Sequence, residues 1–80
     1  MDREEILKKV NDTFIDVLDN DDIVLNYNTT AMDVDEWDSL NHIHLVVGLE
    51  RKFKVKFTSG EIQSWNNIGE LVDSIKTKLG

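Results

Sequence analysis

The chain has no cysteine, no proline, only four glycines, and among aromatic residues just two Trp, one Tyr and three Phe. Without cysteine there is no disulfide, no thiolate metal site and no protein thiol for catalysis, and a cytoplasmic location fits. Stability has to come from packed helices instead. No Pro-rich or Gly/Ser-rich linker, low-complexity run or repeat divides the chain, so residues 1–80 are expected to form a single domain. A domain this small buries only about 60 to 65% of the surface exposed by its unfolded chain. No apolar run approaches the roughly 20 residues of a membrane span. The opening Met1-Asp2-Arg3-Glu4-Glu5 is acidic, unlike a signal sequence, so a complete, soluble, unprocessed chain is expected. Positive charge is also scarce: 9 basic against 16 acidic side chains leave a net charge of −7. That balance disfavours nucleic acid and anionic membranes as partners and favours basic protein surfaces.

What is present is helical periodicity. Asp2 and Glu5 form a D-x-x-E variant of the capping box, and Ile6, Val10, Phe14 and Leu18 follow every four residues, which predicts a first helix over Arg3 to Leu18. Asp19-Asn20-Asp21-Asp22 ends it, because short polar side chains bond to their own backbone in competition with the helix ladder. Residues Ile23 to Trp37 keep neither helical nor strand period, yet Ile23, Leu25, Met32, Val34 and Trp37 supply anchors for a long loop crossing the helices. A second helix is predicted from Asp38 or Ser39, with Leu40, Ile43, Val46, Leu49 and Phe53 as its apolar stripe and Leu45 and Val47 widening it. Arg51, Lys52 and Lys54 place cations near its C-terminal end, where they oppose the negative pole of the dipole. Thr58 with Glu61 starts a short helical turn carrying Ile62 and Trp65. Asn67 with Glu70 starts a last helix carrying Ile68, Leu71, Val72, Ile75 and Leu79 and stopping at Gly80. The expected fold is all-α: a small bundle of three long helices plus one short helix, with a long loop after the first.

Asp38-Ser39-Leu40 carries the chemistry. A serine in the first turn of a helix points into solvent, and the free backbone amides and positive dipole end there favour a phosphate ester on it. Asp-Ser is also one of the commonest ways to begin any helix, so the tripeptide alone is equally a cap.

The wider pattern resembles the acyl and peptidyl carrier protein family over nearly the whole length, best from Trp37 to Leu79. The matching features are Trp37-Asp38-Ser39-Leu40-Asn41-His42-Ile43, then Leu49-Glu50 and Phe53, Val55 and Phe57, and Ile68-Gly69-Glu70-Leu71-Val72. The resemblance implies that Ser39 receives 4'-phosphopantetheine from coenzyme A through a phosphopantetheinyl transferase. It implies no catalytic residue: the serine is a tether, and the arm's thiol holds acyl cargo as a thioester for acyl-activating, acyl-transferring or condensing enzymes of fatty acid, polyketide or related biosynthesis. Peptidyl and D-alanyl carriers remain open within the family. Outside it, the alternative is a helical protein-interaction module in which Ser39 is an ordinary cap.

Many fatty-acid carriers show carboxylates along the exposed face of the second helix, whereas here that face reads Leu40, Asn41, His44, Val47, Gly48 and Arg51. The nearest acids, Asp35, Glu36 and Asp38, lie ahead of the helix. Asp35, Glu36, Asp38, Leu40, Asn41, His44, Val47 and Arg51 are therefore the expected partner-binding residues, with recognition shifted toward the loop and toward apolar contact. A monomer is expected, on the premise that no apolar stripe is left uncovered. Gly48 costs about 1 kcal/mol against alanine in a helix interior. Tolerated drift is preferred over close backbone approach as its explanation. Trp65 stands where the family usually has an aliphatic residue near its acyl cavity. Plain core filling is preferred over a narrowed cavity.

No metal is expected. A calcium loop counted from Asp33 would need glycine where Asp38 stands and glutamate where His44 stands. His42 and His44, two apart on a helix, point roughly 200° from each other. Asp38-Ser39 and Asp73-Ser74 lack the neighbouring histidine of a plausible nucleophile turn, so neither reads as a hydrolase site.

Overall fold

The computed structural model describes residues 1–80 as helices and connections without strands. In chain order these are α1 (Arg3–Leu18), a 3-10 turn (Ala31–Asp33), α2 (Ser39–Phe53), α3 (Ser59–Ser64) and α4 (Ile68–Leu79). Each α-helix begins where a side chain takes up an otherwise orphaned backbone N–H. Glu5 N donates to the Asp2 carboxylate at 2.9 Å, Asn41 N to that of Asp38 at 2.8 Å, and Glu70 N to the Asn67 side-chain oxygen at 2.9 Å. Among the α-helices only α3 closes the full reciprocal box, between Thr58 and Glu61 at 3.2 and 2.9 Å. In α4 the Glu70 carboxylate reaches back to Asn66 N instead. Helices α1 and α2 each end on a residue in the left-handed region, Asp19 at φ 52° and Lys54 at φ 57°.

The first of these helices is the centre of the bundle, packed against both α2 and α4. Ile6, Val10 and Phe14 meet Leu45, Leu49 and Phe53 of α2 and Ile68, Leu71, Val72 and Ile75 of α4 in one buried cluster. The short α3 contributes no buried residue.

The long loop is pinned rather than loose. Ile23, Leu25, Val34 and Trp37 enter the core, and the Trp37 ring meets Phe14 edge-on at 5.0 Å. Met32, offered as an anchor, is 92% exposed, because it sits on the 3-10 turn whose Asp33 carboxylate accepts from Thr30 N. That turn has no signal in the hydrophobic pattern. Two polar clamps hold the loop. The Asn11 carboxamide accepts from Leu25 N at 2.6 Å and donates to Ile23 O at 3.1 Å. At the other end Ile68 N donates to Thr29 O and Gly69 N to Tyr27 O, at 2.9 and 2.8 Å.

Two expectations for α2 are corrected. Its buried residues are Leu45, Val46, Leu49 and Phe53, whereas Leu40 and Ile43 stand 68% and 62% exposed. The helix carries apolar residues around much of its circumference, and α1 covers only one side. Gly48 is a site of close approach, not drift: an added Cβ would lie 3.0 Å from the Thr13 methyl and 3.2 Å from a Val17 methyl of α1.

Candidate functional site

Ser39 is the first residue of α2 and is exposed. It does not cap the helix; the Asp38 carboxylate does, leaving the serine hydroxyl free. His42 N is paired with Asp38 O at 2.8 Å, while the amides of Ser39 and Leu40 have no backbone partner. Free N–H groups and the positive end of a fifteen-residue helix therefore surround the hydroxyl, the electrostatics a phosphodiester requires. The approach to Ser39 is held rigid: Asn41 Nδ2 donates to Glu36 O at 2.8 Å, and Asn20 Nδ2 donates to the Glu36 carboxylate at 2.8 Å.

From Ser39 an open cleft of about 700 Å³ runs between the start of α2 and the α3 region, walled by Trp37, His42, Ile62, Gln63 and Trp65. A second, tighter space, too narrow for a water molecule, is bounded by Phe14, Leu45, Leu49 and Leu71. Trp37, His42 and Trp65 border both spaces. They form an aromatic layer: His42 stacks on Trp37 at 6.0 Å and meets the edge of Trp65 at 6.1 Å. The Trp37 indole N–H donates to His42 Nδ1 at 2.9 Å, so neutral His42 keeps its proton on Nε2. The sequence pattern placed His42 only within a motif, and an indole donor five residues earlier was the signal for its position.

The family model described as "Phosphopantetheine attachment site" matches residues 8–75, a span that holds Ser39, the start of α2 and the adjoining cleft. The chain is 31% identical over 98% of its length to the acyl carrier protein of Thermotoga maritima, and covers 96% of that protein. It is 28% identical to the acyl carrier protein of Lactobacillus acidophilus, with both chains fully covered. The solution structure of the holo acyl carrier protein from Geobacter metallireducens superimposes with a TM-score of 0.87 at 44% identity, covering 92% of this chain and 85% of that one.

The chain belongs to the acyl carrier protein family. It is thus a non-catalytic carrier whose cofactor is a covalently attached 4'-phosphopantetheine, and carriage implies a transferase that installs the arm and biosynthetic enzymes that use it. The residues around Ser39 fit the group: the two unpaired amides suit its phosphate, and the cleft gives the arm a wall to lie against. When bound, the arm supplies the thiol this chain lacks. The side chains here hold and shelter; none is placed to attack or to move a proton.

The expected partner-facing residues of this carrier separate into two sets. Leu40, Ile43, His44, Val47 and Arg51 share one exposed face of α2, an apolar strip flanked by a histidine and a cation. Ile43 joins it although its spacing suggested the core, and the premise that no apolar stripe is uncovered fails there. Glu36, Asp38 and Asn41 hold the start of α2 through hydrogen bonds of their own, which leaves Asp35 as the free acid ahead of the helix. The carboxylates Asp22, Asp33, Asp35 and Glu36 border an open depression, but no three metal-ligating groups converge. Trp65 is half-buried, packed against the core on one side and forming part of the cleft wall on the other.

Since α3 buries nothing of its own, its position depends on its ends. Glu61 accepts from Thr58 N and pairs with Lys78 of α4 at 2.9 Å, while the Lys78 ammonium lies 5.5 Å from the centre of the Phe57 ring. The Thr58 backbone N–H, and after it Lys78, hold the Glu61 carboxyl below its ordinary pKa. A carboxyl that ionises more readily in the folded state adds stability that is complete above its unfolded pKa and is lost as pH falls through the lowered folded value. Lys78→Met should move the Glu61 midpoint upward without restoring it fully, because the Thr58 bond remains. Following the Glu61 carboxyl carbon shift against pH measures this, and an unmoved midpoint would refute the pairing.

Proposed function

We propose that Ser39 is the attachment point of the phosphopantetheine arm, and that residues 1–80 act as one monomeric cytoplasmic carrier domain. The single observation that carries this is a solvent-facing hydroxyl, free of capping duty, set among the unpaired amides of Ser39 and Leu40 at the start of α2. Ser59 also opens a helix behind its own cap, Thr58, but α3 has only six residues and a correspondingly weak dipole; Ser64 ends α3 with its hydroxyl donating to Glu61 O, and Ser74 is within α4. Incubation with coenzyme A and a broad-specificity phosphopantetheinyl transferase, followed by peptide mapping, should place the arm on the peptide containing Ser39. A modification found on Ser59, Ser64 or Ser74 would overturn the assignment.

The partners fit acyl-activating, acyl-transferring or condensing enzymes of fatty acid, polyketide or related biosynthesis. Their docking patch is an apolar notch that takes Leu40, Ile43 and Val47, with a cation for Asp35 and an acceptor for Arg51. Charge sets encounter rates and apolar burial sets residence, so the two contributions separate by salt. Asp35→Lys should slow loading by the cognate transferase several-fold at low salt and little at high salt. Val47→Asp should slow it at both. Equal rates for Asp35→Lys and wild type at low salt would remove the charged contact.

A further inference from the structure

The two tryptophans of the aromatic layer are not equivalent. Both are packed among rings, but the Trp37 indole N–H has His42 Nδ1 as its acceptor at 2.9 Å, whereas Trp65 Nε1 is buried with no partner. It is the one buried side-chain donor or acceptor in the chain left in this state. Buried indole N–H groups in proteins are normally paired, because an unpaired donor forgoes its hydrogen bond to water and gains nothing in exchange. The tight inner space that Trp65 borders has no room for water, which leaves the cleft as the side from which an acceptor arrives.

An acceptor has to be brought in, and the surroundings limit what it is. Trp65 and Ser39 wall the same cleft, so whatever is tethered at Ser39 has Trp65 within its immediate surroundings. The cleft contains no lysine or arginine and includes Asp38, which disfavours an anionic acceptor. A neutral oxygen remains. We infer that the Trp65 indole N–H is a docking donor for a carbonyl oxygen on the group carried at Ser39, making Trp65 a positioning residue for arm or cargo. The inference rests on the proposed attachment at Ser39. Three carbonyls of one chemistry can serve: an amide of the arm, the thioester carbonyl, or a 3-oxo group on a short acyl chain.

The test uses ¹⁵N-labelled protein in four forms: apo, holo, butyryl-loaded and acetoacetyl-loaded, each verified by intact mass and by mapping to Ser39. The Trp65 indole cross-peak is assigned by its disappearance in Trp65→Phe, which keeps a ring at the wall, and the Trp37 cross-peak is the internal control. Hydrogen bonding should move the Trp65 Nε1–H downfield and slow its exchange with solvent. A change already present in the holo form identifies an arm amide. One shared by both acyl forms identifies the thioester, and one confined to the acetoacetyl form identifies the 3-oxo group. A cross-peak that keeps its apo shift and exchange rate in all correctly loaded forms overturns the inference while leaving attachment at Ser39 intact. Failure to load at Ser39 overturns the attachment, and the inference with it.

Discussion

Ser39→Ala should take up no phosphopantetheine and yet melt at the wild-type temperature. The ester needs a hydroxyl, and no neighbouring group replaces it: Asp38 is committed to Asn41 N and Asn41 to Glu36 O. The fold, by contrast, does not use Ser39, which is exposed and outside the capping bond. Surface substitutions of that kind usually stay within about 0.5 kcal/mol. Asp38→Ala is the informative contrast, because it removes the cap at a cost of about 1 kcal/mol while retaining the hydroxyl. Intact mass after incubation with coenzyme A and transferase, read beside a thermal melt, separates the two. Ser39→Ala that still gains the arm would defeat the assignment; Ser39→Ala that unfolds would mean that the residue has a structural role not visible in its contacts.

The largest expected effect on stability comes from Gly69→Ala. On helix propensity alone the change would help by about 1 kcal/mol. Its Cβ would however lie 2.9 Å from the Tyr27 carbonyl oxygen, the same oxygen to which Gly69 N donates at 2.8 Å. That oxygen is backbone and cannot swing aside. The long loop has to lift from α4, which loosens the adjacent bond from Ile68 N to Thr29 O and the stacking of Arg3 on Tyr27 at 4.5 Å. A net loss of about 1 to 3 kcal/mol is expected, and at about 4 to 8 °C per kcal/mol it is easily read in a thermal melt. Gly60→Ala is the control of opposite sign. The nearest atom to its Cβ would be Thr58 Oγ1 at 4.0 Å, so the substitution should be neutral or stabilise by about 0.5 to 1 kcal/mol. Gly69→Ala melting at or above the wild type would show that the loop is not clamped there.

These two glycines show where reading the sequence reaches its limit. Gly69 is visible in the sequence only as part of a motif shared with a family, and Gly48 only as a weak helix former. Their common reason, another backbone or helix pressed against the position, is a contact between segments far apart in the chain. The same is true of Asn11, whose carboxamide clamps Ile23 and Leu25 and whose place in α1 looks like any polar position. Thr30 and Asp33 are an intermediate case: their turn is local and readable in principle, but it sits inside a stretch whose hydrophobic period says nothing.

Helix ends and the exposed start of α2 were determined by the sequence itself. Asp2, Asp38, Thr58 and Asn67 each act within three residues of their own position, so capping needs no knowledge of the rest of the fold. Ser39 inherits its place from Asp38 in the same local way. Tertiary structure decided which side of α2 is covered, and therefore that Leu40, Ile43 and Val47 face outward while Leu45, Leu49 and Phe53 do not. It also decided that Trp37 finds an acceptor and Trp65 does not. A helix apolar on several sides has no preferred inside until another helix arrives, and an indole donor is satisfied or stranded by whichever atoms the completed packing brings within reach.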